Sequence, residues 1–182
     1  EVNQGKFTYG TGGFMMVNIG DEFRLVDESL LTTILYSIDH KAVYAVEGSI
    51  FYAGSAVNWA RDNLGLFRDY DEAENRISEV EDNGGVYCVP ALSGLGSPYW
   101  EDRARGVFVG LSNNTTQAHL LRSVFESVVY QTYDLYEILT KSSILLSDIK
   151  IDGGMANNSW FNQYLSNILG LRVLKPQITE LT

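Results

Sequence analysis

Three short stretches gather small and polar residues in a pattern that could hold an anion: YGTGG at 9–13, YAGSAVN at 52–58 and DGGMANN at 152–158. The chemistry they share would be that of the backbone. Glycine lets an amide N–H approach a ligand with no Cβ in the way, and the amides that open a helix favour negative charge. In KIDGGMANNSWF the glycines follow the alternating run DIKID, with Ile149 and Ile151 on one face, and precede Phe161, Leu165, Ile168 and Leu169 at helical spacing. This predicts a strand-to-helix turn around Gly154, with Gly170 stopping the helix. Asn158 is placed either to cap that helix or to touch whatever lies over the turn. Each stretch taken alone is more simply an ordinary turn. GTGG reads as a hairpin with Thr11 at its tip. Gly54, read as interior to a helix, costs about 1 kcal/mol relative to alanine, which points to close packing or a close ligand without choosing between them.

Other chemistry-bearing side chains read as structural. Cys88 lies in the strand-like GVYCVP and is the single cysteine, so no intrachain disulfide can form. His40 and His119 have no histidine or cysteine at metal-ligand spacing. Tyr99, Trp100, Asp102, Arg103 and Arg105 form a charged aromatic loop, read as internally packed and paired. Glu126 and Asp134 sit too far apart on one helix to act as a carboxylate pair.

The elements that must position the three turns follow from periodicity. KFTYGTGGFMMVNIGDE reads as two strands around a glycine turn, and SLLTTILYSI with KAVYAVEGS adds two more. Ile50, Ala53, Val57, Ala60 and Leu64 predict an amphipathic helix starting near Ser49 and ended by Gly65, and 71–81 a more polar one. GVYCVPAL and GVFVGL are strands around a glycine- and charge-rich loop. The longest helix runs from NNTTQAHLL to about Lys141, with Asn114 and Gln117 as a capping box and Leu121, Phe125, Val128, Leu135 and Leu139 as its core stripe. Antiparallel strands first, then alternating helix and strand, predict an α/β fold with a mixed sheet flanked by helices.

A chain of 182 residues fits one domain that buries about 70% of its unfolded surface. Its hydrophobic content of 45%, with 12% aromatic residues, excludes a disordered chain, and its apolar runs are too short to span a membrane. A formal charge of −10 argues against nucleic acid as a partner. It does not argue against a nucleotide, whose phosphates backbone amides can neutralise locally. The opening EVNQGKF has neither initiator methionine nor leader, and the expectation is a cytoplasmic piece of a longer chain.

In combination and order, GTGGF, EGSIFYAGSAVNW, VPALSGLGSPYWEDRARGVFVGL, HLLRSVFESVVYQTYDLYE and DGGMANN resemble the carboxy-terminal domain of the FGGY carbohydrate kinases. GVFVGLSNNTTQAHLLRSVFE is similar to that family's second signature in glycine placement, spacer length, His119 and Glu126. TYGTGGF and LLTTI with VEGS favour its glycerol-phosphorylating branch. The resemblance runs from about Gly5 to Thr182 and implies an actin-like, ribonuclease-H-like ATPase fold, with an amino-terminal domain and final helices lying beyond this chain. It implies that Thr11 approaches the phosphates of ATP, that Gly54 and Asn58 lie by the nucleotide, and that Gly154 and Asn158 flank phosphate and adenosine. Asn58 stands where family members commonly have glutamine. Phe14 would give glycerol an apolar wall. The implied reaction transfers the γ-phosphoryl of MgATP to glycerol in a homo-oligomeric enzyme. ATP/ADP and glycerol would be the partners, and Mg would be held mainly by the phosphates and the other domain, with no catalytic base in this chain. The alternatives are a kinase of another polyol or sugar, and a non-catalytic actin-like binding domain.

Overall fold

The alternating runs fold as strands, in a computed structural model that describes residues 1–176. β1 (Gly5–Tyr9) and β2 (Gly13–Gly20) form the antiparallel hairpin expected around GTG, with Tyr9 opposite Gly13. β3 (Leu31–Ile38) and β4 (Lys41–Ile50) extend the sheet beyond β2. β5 (Tyr87–Val89) and β6 (Val107–Val109) pair only with each other. β7 (Asp148–Asp152) then runs parallel to β1, and β8 (Arg172–Leu174) parallel to β7, giving the order β3-β4-β2-β1-β7-β8. The mixed sheet is as expected. The separate β5–β6 pair was not: its strands are three residues long, and Cys88 and Phe108 turn inward while their neighbours stay exposed.

One face of the sheet builds the core. Phe7, Tyr9, Met15, Val17, Ile149 and Ile151 alternate inward and are fully buried. Against them pack α3 (Gln117–Lys141), through the expected stripe of Leu121, Phe125, Val128, Leu135 and Leu139, and α4 (Ser159–Leu169), through Phe161 and Leu165. Burying a ring such as Phe161 contributes about 1.5–3 kcal/mol. The one polar atom Tyr9 carries inward is satisfied by Thr132 Oγ1 at 3.0 Å, and burial pushes its phenol well above the usual range.

Several boundaries differ from the periodic reading. α1 (Gly54–Asp62) starts later than Ser49, because Ile50 is the last residue of β4 and pairs with Gly13. Leu64 is exposed, and Leu66 turns into the core after Gly65, whose φ of 63° ends the helix. α2 (Tyr70–Ile77) is shorter than 71–81, capped by Asp69, whose carboxylate accepts from the Glu72 amide at 2.9 Å. At α3 the box is one of Thr116 with His119, not Asn114 with Gln117: the Thr116 amide donates to His119 Nδ1 at 3.1 Å. An imidazole thus does the work usually given to Glu or Gln. A short 3-10 turn, Gly154–Asn157, joins β7 to α4, and Gly170 closes α4 with φ 64° as expected.

Candidate functional site

Five of the six residues to which the family resemblance implies a role line one cavity of about 400 Å³: Thr11, Gly54, Asn58, Gly154 and Asn158. They come from three turns far apart in the chain. Phe14 is not among them. Met15 faces the core, so Phe14, its neighbour on a pleated strand, projects from the opposite face, where it is 50% exposed. It stays near the same hairpin, with its ring edge 3.7 Å from where a Cβ on Gly12 would stand.

Backbone geometry explains why the turns are built from glycine. Gly54 opens α1 rather than sitting inside it, so the interior-glycine argument does not apply. A Cβ there would lie 2.5 Å from the Gly10 carbonyl oxygen, to which the Gly54 amide donates at 2.9 Å. Glycine at this position is what lets the first and second turns touch. At the third turn the constrained residue is Gly153, whose φ is 87° and whose Cβ would stand 2.6 Å from the Tyr9 carbonyl carbon. Gly154 has no atom within 4 Å of its Cβ position and opens onto the cavity.

Both helix N-termini beside the cavity carry protein acceptors, and at α4 the acceptor is itself a carboxylate. The Ala53 and Ser55 amides at the start of α1 both donate to the Thr11 carbonyl, at 3.1 and 3.0 Å. At α4 the Ser159 and Trp160 amides donate to Glu74 Oε1, each at 3.1 Å, and the Phe161 amide to Asn158 Oδ1 at 2.7 Å. Asn158 is therefore a cap as well as a cavity residue. Among the described residues, no protein acceptor takes the amides of Thr11, Gly12 or Gly154. Of these residues Thr11 and Gly154 border the cavity, and amides so placed favour an anion.

The opposite wall is α2, which contributes Tyr70, Asp71 and Glu74. The Tyr70 hydroxyl donates to Asn58 Oδ1, leaving the amide NH2 of Asn58 for the cavity. Phe125 closes the floor. Sequence reasoning missed this wall: α2 read as a polar helix, and nothing local in it shows that it lies over two glycine turns. Phe125 was read as core, which it also is.

The remaining candidates lie elsewhere. The Cys88 thiol is pushed up to about 12 by burial. Trp100 Nε1 donates to the Ser29 carbonyl at 2.8 Å, and the Tyr99 hydroxyl to Asp134 Oδ2 at 2.8 Å, so these half-exposed rings tie the loop to other elements rather than packing within it. Arg103 pairs with Glu101 at 3.4 Å, whereas Arg105 donates to the carbonyls of Asp102 and Ala104. Burial raises the Asp134 carboxyl above its usual range, against the Tyr99 bond that lowers it. Among the described residues no three His, Cys, Asp or Glu side chains gather where a metal could be held.

Comparison with known proteins gives a consistent result. Residues 5–182 match the C-terminal domain of the FGGY family of carbohydrate kinases, the last six lying outside the described residues. A glycerol kinase of Halothermothrix orenii is 51% identical over 178 residues, covering 97% of this chain and 36% of its own length. One of Saccharolobus islandicus is 47% identical over 183 residues, covering 100% of this chain and 36% of its own. The crystal structure of Plasmodium falciparum glycerol kinase with ADP superposes with a TM-score of 0.91 at 35% identity, over 100% of this chain and 37% of that one. A ligand-bound xylulose kinase from Lactobacillus acidophilus shares the fold, with a TM-score of 0.85 at 23% identity over 98% of this chain and 36% of its own. The chain thus spans about 36% of the length of these curated relatives.

Proposed function

The chain belongs to the FGGY family of carbohydrate kinases as their C-terminal domain, and from that premise we propose that it is the nucleotide-binding part of an ATP-dependent glycerol kinase. The reaction is transfer of the γ-phosphoryl of MgATP to a terminal hydroxyl, giving sn-glycerol 3-phosphate. The observation that carries this reading is the single cavity uniting Thr11, Gly54, Asn58, Gly154 and Asn158.

Charge orients the nucleotide within it. Phosphates set against Asp71 and Glu74 would be repelled by about 4 kcal/mol per close pair in a partly solvated site. The unclaimed amides of Thr11 and Gly154 attract them. The triphosphate therefore lies along the glycine turns and the nucleoside along α2, with the Asn58 and Asn158 amides between. Bound magnesium would supply further neutralisation of phosphate charge, and no ligand for it is assigned in this chain. Transfer of this kind depends on positioning and charge neutralisation. This chain's part is to hold the nucleotide and exclude water on one side.

Residues 1–182 form, in this reading, the C-terminal part of a longer enzyme whose preceding domain supplies the base and most polyol contacts. Phe14, on the other side of the same hairpin, offers glycerol's carbon backbone an apolar wall. A cytoplasmic homo-oligomer accompanies the family resemblance.

Calorimetry with ADP on the chain, and a coupled ADP-release assay on a chain of the relatives' full length, test the reading. Nucleotide binding by the chain, no turnover by it alone, and glycerol-dependent turnover by the longer protein are expected. Turnover by the chain alone would overturn the two-domain division. A preferred polyol other than glycerol would move the substrate class. Absence of nucleotide binding in both would favour the non-catalytic binding domain.

A further inference from the structure

α2 is a wall of the nucleotide cavity, yet its own burial is slight. Only Ala73 and Ile77 reach the core. The helix's own polar contacts run from Arg76 to Gln117 Oε1 at 2.6 Å, from Tyr70 to Asn58 and from the α4 amides to Glu74, and the turn that follows it is held by a carboxylate buried inside α3. Glu126 is 2% exposed, and its Oε1 accepts from Arg122 Nε at 2.9 Å. Its Oε2 accepts from Asn83 Nδ2 at 2.9 Å and from the Tyr130 hydroxyl at 3.1 Å. Arg122 also donates from Nη1 to the Val80 carbonyl at 2.6 Å. Both Val80 and Asn83 belong to the turn that follows α2.

The same pair reaches α4. The Arg122 guanidinium lies over the Trp160 ring, 5.1 Å from its centroid, and that ring stacks on Tyr164 at 4.9 Å with an interplanar angle of 10°. Tyr164 and Tyr130 join their hydroxyls at 2.7 Å, and since Tyr130 has one proton, already given to Glu126, Tyr164 is the donor. The circuit closes on the carboxylate where it began. Trp160 carries one of the two amides that hold Glu74, and so ties α2 to the first turn of α4 beside Asn158.

We infer that Arg122 and Glu126 are positioning residues that latch the α2 wall and the start of α4, next to its cap Asn158, at the nucleotide cavity. The inference rests on the nucleotide reading above. Neither residue lines the cavity. They act through Trp160, Glu74 and the turn after α2. The pair is buried and charged, so removing one partner leaves an uncompensated charge and endangers folding, whereas replacing both with apolar residues of similar size is often tolerated. The test variant is therefore the double substitution Arg122→Met with Glu126→Met. The control is Leu139→Ala, which opens the core at the far end of α3 and lowers stability without touching the latch.

Two measurements are made on the 182-residue chain at a temperature where every variant is folded: ADP affinity by calorimetry, and hydrogen exchange of the amides of α2 and the first turn of α4. The double variant should weaken ADP binding about tenfold, at the low end of coupling between sites, and speed exchange in both segments. Leu139→Ala should lower Tm and change neither. A double variant with wild-type affinity, or one whose α2 and α4 amides stay protected, overturns the latch. Equal loss of affinity in Leu139→Ala overturns it as well, because general destabilisation would then suffice. Failure of both the wild-type chain and the longer protein to bind ADP would instead overturn the nucleotide reading, and the exchange arm would still decide whether the pair holds the two segments.

Discussion

Valine at position 154 separates space for a ligand from backbone necessity, because two adjacent glycines in the DGG turn answer to different constraints. Gly154 has a permitted backbone and no atom within 4 Å of its Cβ position, so the Cβ of a side chain there enters open space. It enters the cavity beside an amide left for phosphate. The fold should tolerate the change as it tolerates an ordinary surface substitution, within about 0.5 kcal/mol. The ligand should not: forcing extra methyl groups into a packed contact costs about 1–3 kcal/mol, which is roughly 5- to 150-fold in Kd. Gly153→Ala is the opposite case. Its φ of 87° and the Tyr9 carbonyl 2.6 Å from the added carbon place the penalty on folding itself. Strain at such a position costs about 1–3 kcal/mol, and for a chain of this size each kcal/mol lowers Tm by about 2–4 °C. Calorimetric titration of ADP and a melting curve for each variant read both quantities. Gly154→Val should keep its Tm and lose ADP, and Gly153→Ala should lose several degrees of Tm. A folded Gly154→Val chain that binds ADP with wild-type affinity would refute the assignment of the cavity, and an unchanged Tm in Gly153→Ala would refute the strain argument.

Asn158→Ala removes the acceptor of the Phe161 amide and should lower stability by about 0.5–2 kcal/mol. Because the residue also lines the cavity, ADP affinity measured well below Tm should fall too. Phe14→Ala should leave Tm nearly unchanged, since the ring is 50% exposed. In the full-length enzyme it should weaken use of glycerol by about 1–3 kcal/mol with little change in the ATP requirement, and a change confined to ATP would displace Phe14 from the polyol wall. Cys88, with its thiol raised from 9.0 to about 12, should be alkylated at pH 8 about a thousandfold more slowly than a free thiol, on its thiolate fraction alone. Its folded pKa lies above the unfolded value, so the unfolded state loses the proton first and Cys88's contribution to stability falls as pH rises above about 9. Iodoacetamide kinetics and melting curves between pH 7 and pH 10 check both, and a Cys88→Ala variant with the same alkaline loss would assign it to other groups.

The sequence by itself determined what is local. Alternation in KFTY, FMMVNI and DIKI fixes strands whose inward residues are the ones found buried, since a one-residue slip would turn every apolar side chain to water. Gly170 and Asn158 announce the ends of α4, because cap chemistry involves residues within one turn of each other. The three glycine-rich turns were visible as candidates for the same reason. The tertiary structure decided everything that depends on separation in the chain. That the turns at 9–13, 52–58 and 152–158 share one cavity follows from the strand order β4-β2-β1-β7, which no periodicity encodes. The glycine that cannot change is Gly153 and not Gly154, because the Tyr9 carbonyl approaches it from another strand. The helix N-termini, anion sites on local grounds, are already occupied by Thr11 and Glu74. Glu126, one of two carboxylates on a helix when read along the chain, is a buried hub because the turn after α2 and the side chains of α4 meet over it. Local chemistry proposes such partners, and only packing decides which of them a backbone amide or a carboxylate finds.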